Sequence, residues 1–94
     1  MQVGMVAFHY PRAEYRDQML SRVQQATEFI EATPGCLAID CWLTEDGTAI
    51  VSTGKWTSEQ ALRAGFAAAR AGGVDFTFDD REARPREIFR LAHA

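Results

Sequence analysis

The chain has 94 residues, of which 47% are hydrophobic and 24% charged, and its formal net charge is −3. This size and balance are typical of one small globular domain and exclude a disordered chain, so we expect a single domain over residues 1–94. The nine arginines, one lysine and thirteen acids are scattered without a block of either sign. That distribution argues against a nucleic-acid or membrane-surface partner.

The first third of the chain indicates a strand followed by a long helix. Residues 3–10 form a short, mostly apolar segment, which predicts the strand. Pro11, which follows it, suits the first turn of a helix. Between residues 12 and 33 apolar residues recur every three or four positions, which predicts an amphipathic helix that Pro34-Gly35 ends. The predicted inward residues are Tyr15, Met19, Val23, Ala26 and Ile30. Polar residues between them, Arg22 included, are placed on the other faces.

Residues 37–44 and 48–56 predict a β-hairpin closed by Asp46-Gly47, a pair typical of a two-residue type I′ turn. That turn sets Leu43 opposite Ile50 and Leu37 opposite Trp56. One face is then apolar and is the predicted core face: Leu37, Ile39, Cys41, Leu43, Ile50 and Trp56. The other face is mixed: Ala38, Asp40, Trp42, Val51, Thr53 and Lys55.

The remaining residues predict a second helix, an irregular segment and a last strand. The helix begins at Thr57 or Ser58, with a capping-box pattern from Thr57 to Gln60, and ends near residue 71 at a glycine pair. Residues 75–84 fit no regular element, and the run from Asp79 to Glu82 is expected to be a solvated loop. Residues 86–92 alternate as a strand, with Ile88 and Arg90 sharing one face.

The order β-α-β-β-α-β is that of the ferredoxin-like split βαβ fold, an α+β architecture with a four-stranded antiparallel sheet and both helices on one face. The uncovered face is expected to carry Trp42, Val51 and Ile88, which is too apolar a patch to be left in water. We therefore expect a homodimer that packs through its sheets. In that dimer Asp40 and Arg90 are expected near each other, either within one subunit or between subunits.

No targeting, membrane or metal motif is evident in the sequence. No apolar run reaches the roughly 18 residues of a membrane span, and the first residues lack the regions of a signal peptide, so a cytoplasmic protein with reduced thiols is expected. Cys36 and Cys41 are five positions apart, which predicts opposite faces of one strand and no disulfide. His9 and His93 form no metal-binding motif. The arginine-to-lysine bias and the fifteen alanines indicate a bacterial genome.

Two stretches carry a family resemblance, Pro34-Gly35-Cys36 and the run from Lys55 to Leu62. In element order and in these letters the chain resembles the antibiotic biosynthesis monooxygenase family. The resemblance implies a dimeric α+β barrel. In some members it implies oxidation of aromatic polyketides by molecular oxygen without flavin, haem or metal, while other members degrade haem or process small signalling molecules.

The resemblance also implies where a site would lie. Oxygenating members place a Trp at the end of the third strand, which Trp56 matches, and an Asn four residues earlier, where this chain has Ser52. A serine hydroxyl offers a single donor to a substrate oxyanion, whereas an asparagine amide both donates and accepts. Haem-degrading members carry a His on the second helix, and this helix has none, with Gly65 near that position.

These considerations predict a set of site residues, with no metal and no cofactor. Trp56 would stack on the substrate, Ser52 would bond its oxyanion and His9 would take its proton. Four further residues are predicted to border a pocket between sheet and helices: Tyr10, Tyr15, Arg63 and Phe66.

Three functions remain open from the sequence. The first is a cofactor-independent monooxygenase acting on a small aromatic, polyketide-like molecule with molecular oxygen. The second is a non-catalytic dimer of the same fold that binds a small ligand or assists another enzyme. The third is an isomerase or cyclase, which would need His9 and Asp40 to form a proton-transfer pair.

Overall fold

A computed structural model describes all 94 residues and contains four strands and two long helices. They are β1 (Val3–His9), α1 (Arg16–Glu31), β2 (Cys36–Leu43), β3 (Ile50–Trp56), α2 (Glu59–Ala71) and β4 (Glu87–Ala92), with a 3₁₀ turn at Ala13–Tyr15. The sheet order is β2-β3-β1-β4 and every pairing is antiparallel. This confirms the predicted ferredoxin-like fold. Neither helix is both long and apolar enough to span a membrane.

Both helices are bounded by specific backbone contacts. The α-helix α1 begins at Arg16 rather than at Arg12, because Arg12 has an extended backbone (ψ 146°) and residues 13–15 form the 3₁₀ turn. The Arg12 backbone N–H donates to the Arg81 carbonyl (2.9 Å). Helix α2 begins after Ser58, whose hydroxyl caps it by accepting from the Ala61 N–H (3.1 Å). The N-cap is therefore Ser58, and the capping box predicted from Thr57 to Gln60 is not formed.

The β2–β3 hairpin has the predicted register but a different turn. Residues 39–43 pair with 50–54 as expected. Only Gly47 has a positive φ (73°), so the type I′ turn, which needs two such residues, is wrong. A longer loop replaces it: the Gly47 N–H donates to the Thr44 carbonyl (2.8 Å), and Asp46 accepts from the Thr44 hydroxyl (2.7 Å).

A β-bulge between Cys36 and Ala38 changes which side chains face the core at the start of β2. Cys36, and not Leu37, lies opposite Trp56, and Leu37 is exposed. An extra residue reverses the alternation of a strand beyond it, so Cys36 and Cys41 share the core face despite their odd spacing. The prediction of opposite faces is wrong, while both thiols are free as expected.

The core lies between the sheet and the two helices. Its most deeply buried large side chains are Trp56, Ile30, Ile50 and Leu62, drawn from β3, α1 and α2. Of the residues predicted to point inward from α1, Met19, Val23 and Ile30 are buried, whereas Tyr15 is exposed. Burial of these apolar side chains is the main force that holds the helices on the sheet.

The pairing of β4 with β1 sets the composition of the opposite, uncovered face. Ala7 lies opposite Ile88, so Ile88 and Arg90 point to the helix side and Phe89 to the uncovered side. Ile88 was predicted on the uncovered face, and that placement is wrong because the sequence alone does not fix how two distant strands pair. Arg90 is likewise separated from Asp40, and its guanidinium lies 3.4 Å from Glu59.

Candidate functional site

A cavity of about 390 Å³ lies between the sheet and the helices. Eleven of its twenty lining residues are hydrophobic, and β1, β3, β4, both helices and the segment after α2 contribute to its wall. A mostly apolar cavity with a few convergent polar groups is the usual form of a small-molecule site. We therefore take this cavity as the candidate site.

The sheet contributes the two polar residues that were predicted to do chemistry. Ser52 and His9 both line the cavity, Ser52 from β3 and His9 from the end of β1. In the sheet, Ala7 pairs with Ser52 and His9 pairs with Ile50, so the two side chains lie on the same face of adjacent strands. The fold thus brings together two residues that are 43 positions apart in the sequence.

Helix α2 contributes two of the predicted substrate-binding residues. Arg63 and Phe66 both line the cavity. The Phe66 ring also packs against Phe76, with ring centroids 5.8 Å apart, and against Trp56, with centroids 6.2 Å apart. Phe66 is therefore the aromatic surface that a ligand would meet, and its position is supported from behind.

The other three predicted residues do not line the cavity. Trp56 is fully buried in the core and contributes nothing to the cavity wall. Tyr15 is exposed at the start of α1. Tyr10 donates its hydroxyl hydrogen to Glu87, and the Arg84 guanidinium lies over its ring at 3.7 Å.

His9 has an acidic neighbour, Glu82, which was predicted to lie elsewhere. The side chain of Glu82 is fully buried, and its Oε1 lies 3.8 Å from His9 Nδ1. Its Oε2 accepts from Arg86 at 2.6 Å. Glu82 was predicted to lie in a solvated loop, and this is wrong because Pro11 and Glu82 form a β-bridge that folds the loop onto β1.

This environment holds His9 in its neutral form at neutral pH. Burial lowers the His9 pKa below the usual 6.5, the positive charge of Arg86 lowers it further, and Glu82 only partly offsets both. Neither His9 Nδ1 nor Glu82 Oε1 has a hydrogen-bond partner at the 3.8 Å separation. Because Nδ1 faces Glu82, Nε2 is the nitrogen left to accept a proton from a ligand.

Two buried arginines complete the polar end of the cavity. Arg22 NH2 donates to the backbone carbonyls of Asp75 (3.2 Å) and Thr77 (2.9 Å), and Arg86 donates to those of Phe76 (3.0 Å) and Thr77 (3.1 Å). Arg22 was expected on a polar face of its helix, but the segment after α2 covers it. No periodic pattern marks these irregular residues, so sequence analysis found neither arginine nor Glu82.

Other candidate chemistries find less support in this arrangement. His9 lies on the helix side of the sheet and Asp40 on the opposite side, so the two cannot form the pair that an isomerase would need. Burial raises the pKa of both the Cys36 and Cys41 thiols, which keeps them protonated and weakly nucleophilic. No three His, Cys, Asp or Glu side chains cluster in a way that could hold a metal ion.

The fold is a small ferredoxin-like α+β domain that encloses a cavity between its sheet and helices. The antibiotic biosynthesis monooxygenase family model matches residues 2–69, and the chain belongs to that family. This confirms the resemblance seen in the sequence. The matched part includes His9, Arg22 and Ser52 but ends before Glu82 and Arg86.

Comparison with solved structures gives the same fold. Rv0793 from Mycobacterium tuberculosis has a TM-score of 0.81 and 22% identity, covering 100% of this chain and 96% of that one. A mutant of SnoaB, a cofactor-independent oxygenase from Streptomyces nogalater, has a TM-score of 0.74 and 15% identity, covering 98% of this chain and 92% of that one. The ActVA-Orf6 monooxygenase of Streptomyces coelicolor, solved with nanaomycin D, has a TM-score of 0.70 and 20% identity, covering 98% of this chain and 87% of that one. A search of curated proteins gave no match.

Proposed function

We propose that this protein is a cofactor-independent monooxygenase that oxidises a small aromatic, polyketide-like molecule with molecular oxygen. The observation that carries the proposal is that His9 and Ser52 line one largely apolar cavity. A base that is neutral at pH 7 and a hydroxyl donor are the groups needed to form and hold a substrate anion. Family membership and the oxygenases among the structural neighbours point to the same chemistry.

The reaction would use an electron-rich phenol or anthrone. His9 removes one proton, and the resulting anion transfers one electron to oxygen, giving a substrate radical and superoxide. The two combine into a peroxide anion, which takes the proton back from His9. The hydroperoxide then loses water together with the second hydrogen of the oxidised carbon, so that one oxygen atom remains in the product as a carbonyl and the other leaves in the water. The protein's part is to orient the ring against Phe66, exclude water and stabilise the anion through Ser52.

We expect Ser52→Ala to lower kcat by about 10²–10³-fold, the usual cost of removing one donor to an oxyanion. The measurement is oxygen uptake by chelator-treated protein with anthrones, quinols and flavonols. Ser21→Ala, which removes an exposed hydroxyl of α1, is the matched control and should keep full activity. Full turnover in Ser52→Ala would contradict the assigned role.

Oxygen uptake by the wild type also separates the two leading functions. Uptake without added flavin or metal supports the monooxygenase. A folded protein that consumes no oxygen with any of these substrates would contradict it and favour a non-catalytic ligand-binding or accessory protein. The specific observation behind that alternative is that Ser52 replaces the Asn of oxygenating members and Trp56 is sealed from the cavity.

We further propose that the protein is a homodimer that packs through the uncovered face of its sheet. This face carries Trp42, Val51, Phe89 and Leu91, and the Trp42 side chain is 59% exposed. A contiguous apolar surface of this kind is typical of an interface. A second copy would also bury apolar area that a domain of this size lacks in its own core. The cytoplasmic location and bacterial origin expected from the sequence stay predictions.

We expect Phe89→Asp to convert the dimer into a monomer, because the buried carboxylate would face apolar side chains of the second copy. Sedimentation equilibrium measures the mass of each variant. Leu43→Asp is the matched control, since Leu43 is similarly exposed (45% against 48%) but lies on the opposite face of the sheet. A monomeric wild type, or a Phe89→Asp variant that remains dimeric, would contradict the proposal.

A further inference from the structure

Positive charge is concentrated in the cavity of a protein that is acidic overall. The formal net charge is −3, yet five of the nine arginines line this one cavity. They are Arg22, Arg63, Arg70, Arg86 and Arg90. Asp75 is the only acidic residue that lines it with them. The field inside the cavity therefore favours an anion, although the surface as a whole does not.

The carboxylates near these arginines do not neutralise them. Three carboxylates form ion pairs with them: Glu82 with Arg86, Asp75 with Arg22, and Glu59 with both Arg63 and Arg90. The fifth guanidinium, Arg70, lies over the Phe76 ring at 5.3 Å. Five guanidiniums thus face three carboxylates, which leaves an excess of two positive charges around the cavity. This excess lies at Arg63, Arg70 and Arg90, whereas Arg22 and Arg86 each have one carboxylate partner.

Two of these guanidiniums are buried, close together and only partly hydrogen-bonded. Arg22 and Arg86 are 14% and 17% exposed, and both donate to the Thr77 carbonyl. The Arg22 Nε and NH1 groups and the Arg86 Nε group are buried without a hydrogen-bond partner. Unpartnered buried donors are costly, and those of a charged group more so. An anionic acceptor in the cavity would satisfy them.

A carboxylate on an apolar molecule suits both these donors and the rest of the cavity wall. A guanidinium presents its N–H groups in a plane, which matches the two oxygens of a planar carboxylate. The rest of the wall is mainly apolar, with Phe66, Phe76 and Ile88 among its residues. Such a wall fits a hydrocarbon body and would not fit a sugar or a nucleotide.

We propose that the cavity binds an aromatic carboxylic acid, whose carboxylate is held by Arg22 and Arg86 and whose ring system packs against Phe66. This inference rests on the proposed function in that it uses the same cavity and names the substrate class as an acid. The carboxylate is an anchoring group, distinct from the oxygen that Ser52 would bond during the reaction. Oxygen chemistry is not needed for the binding itself.

The test compares two ligands of nearly the same shape, one an anion and the other neutral. 2-Naphthoate and the neutral 2-naphthamide are titrated into the dimer by calorimetry at pH 7.5, without oxygen. We expect naphthoate to bind about 10–100-fold more tightly, the range of a charge-assisted hydrogen bond in a buried site. Arg22→Gln should remove this preference by weakening the binding of naphthoate far more than that of naphthamide. Arg16→Gln, an exposed arginine of the same helix, is the matched control and should keep the preference.

Each outcome decides the proposal. Equal affinity for the two ligands, no binding of naphthoate at millimolar concentration, or a preference that survives Arg22→Gln would overturn it. Should Arg22→Gln fail to fold, Arg22→Lys keeps the charge but loses the planar fork and should reduce the preference about 3–10-fold. A protein that prefers naphthoate yet consumes no oxygen would contradict only the proposed monooxygenase, so the two failures are distinguishable.

Discussion

We expect Trp56→Ala to lower the free energy of unfolding by about 3–5 kcal/mol, the usual cost of truncating a large buried aromatic side chain. Trp56 is fully buried in the main core cluster and packs against Phe66. In a domain of this size such a loss lowers Tm on the order of 20 °C. Thermal unfolding followed by circular dichroism measures it. A shift of less than about 5 °C would contradict the structural role.

Trp56→Phe is the matched variant, and it separates packing from chemistry. It keeps a ring against Phe66 and removes an indole N–H that is buried without a partner, so we expect less than half the loss of Trp56→Ala. Because Trp56 does not line the cavity, Trp56→Phe should keep oxygen uptake within about threefold of the wild type. A folded Trp56→Phe protein without activity would show that this Trp acts directly on the substrate, as the family resemblance implies.

We expect His9→Gln to lower kcat/KM by about 10²–10⁴-fold, because glutamine keeps the side chain polar but cannot accept the substrate's proton. His93→Gln is the matched control, since the second histidine is exposed near the end of the chain and should tolerate replacement. Steady-state oxygen uptake gives both values. Partial recovery of the His9→Gln activity by added imidazole would support the role of a base, and unchanged turnover would contradict it.

The pH dependence gives a second and independent test of His9. Its pKa in the folded protein lies below the usual 6.5, so the wild-type kcat/KM should stay high at pH 6.5 and fall only below it, as His9 takes up a proton. The unfolded chain protonates this histidine at the higher pH and therefore binds more protons in that interval. Stability should thus fall with decreasing pH below about 6.5, and His9→Gln should reduce that slope.

The regular elements could be predicted because their signals are local. Apolar residues spaced three or four apart marked α1, alternation marked β2 and β3, and glycines marked the end of α2. Each signal depends only on residues within one or two turns of the chain. The order of elements then restricted the topology to the ferredoxin-like arrangement that the structure has.

The errors in the sequence analysis arose where one residue or one distant pairing decides the outcome. The bulge beside Cys36 reversed the alternation of inward and outward side chains at the start of β2, and no sequence pattern predicts such a bulge. Ile88 was placed on the wrong face because the pairing of β4 with β1 joins strands far apart in the chain. The hairpin turn differed because Asp46 bonds Thr44 through its side chain, which stabilises a longer loop.

The residues of the candidate site also fall into two groups, those that could be predicted from the sequence and those that could not. Four of the predicted residues lie on regular elements whose inward faces could be predicted from the sequence. All four line the cavity: His9, Ser52, Arg63 and Phe66. The charged residues that surround His9 could not be predicted. Glu82 and Arg86 come from the irregular segment between α2 and β4, which has no periodicity to show what it faces.

The sequence by itself determined the element order, the fold and the hairpin register over residues 39–43 and 50–54, because propensity and hydrophobic period act over short distances. Two short motifs were enough to indicate the family. Only the tertiary structure decided that Trp56 is sealed from the cavity, that Glu82 lies beside His9, and that five arginines face one enclosed space. His9 and Glu82, for example, are 73 positions apart in the sequence. Chain folding brings such groups together through packing and burial, which depend on the whole molecule and leave no local trace in the order of residues.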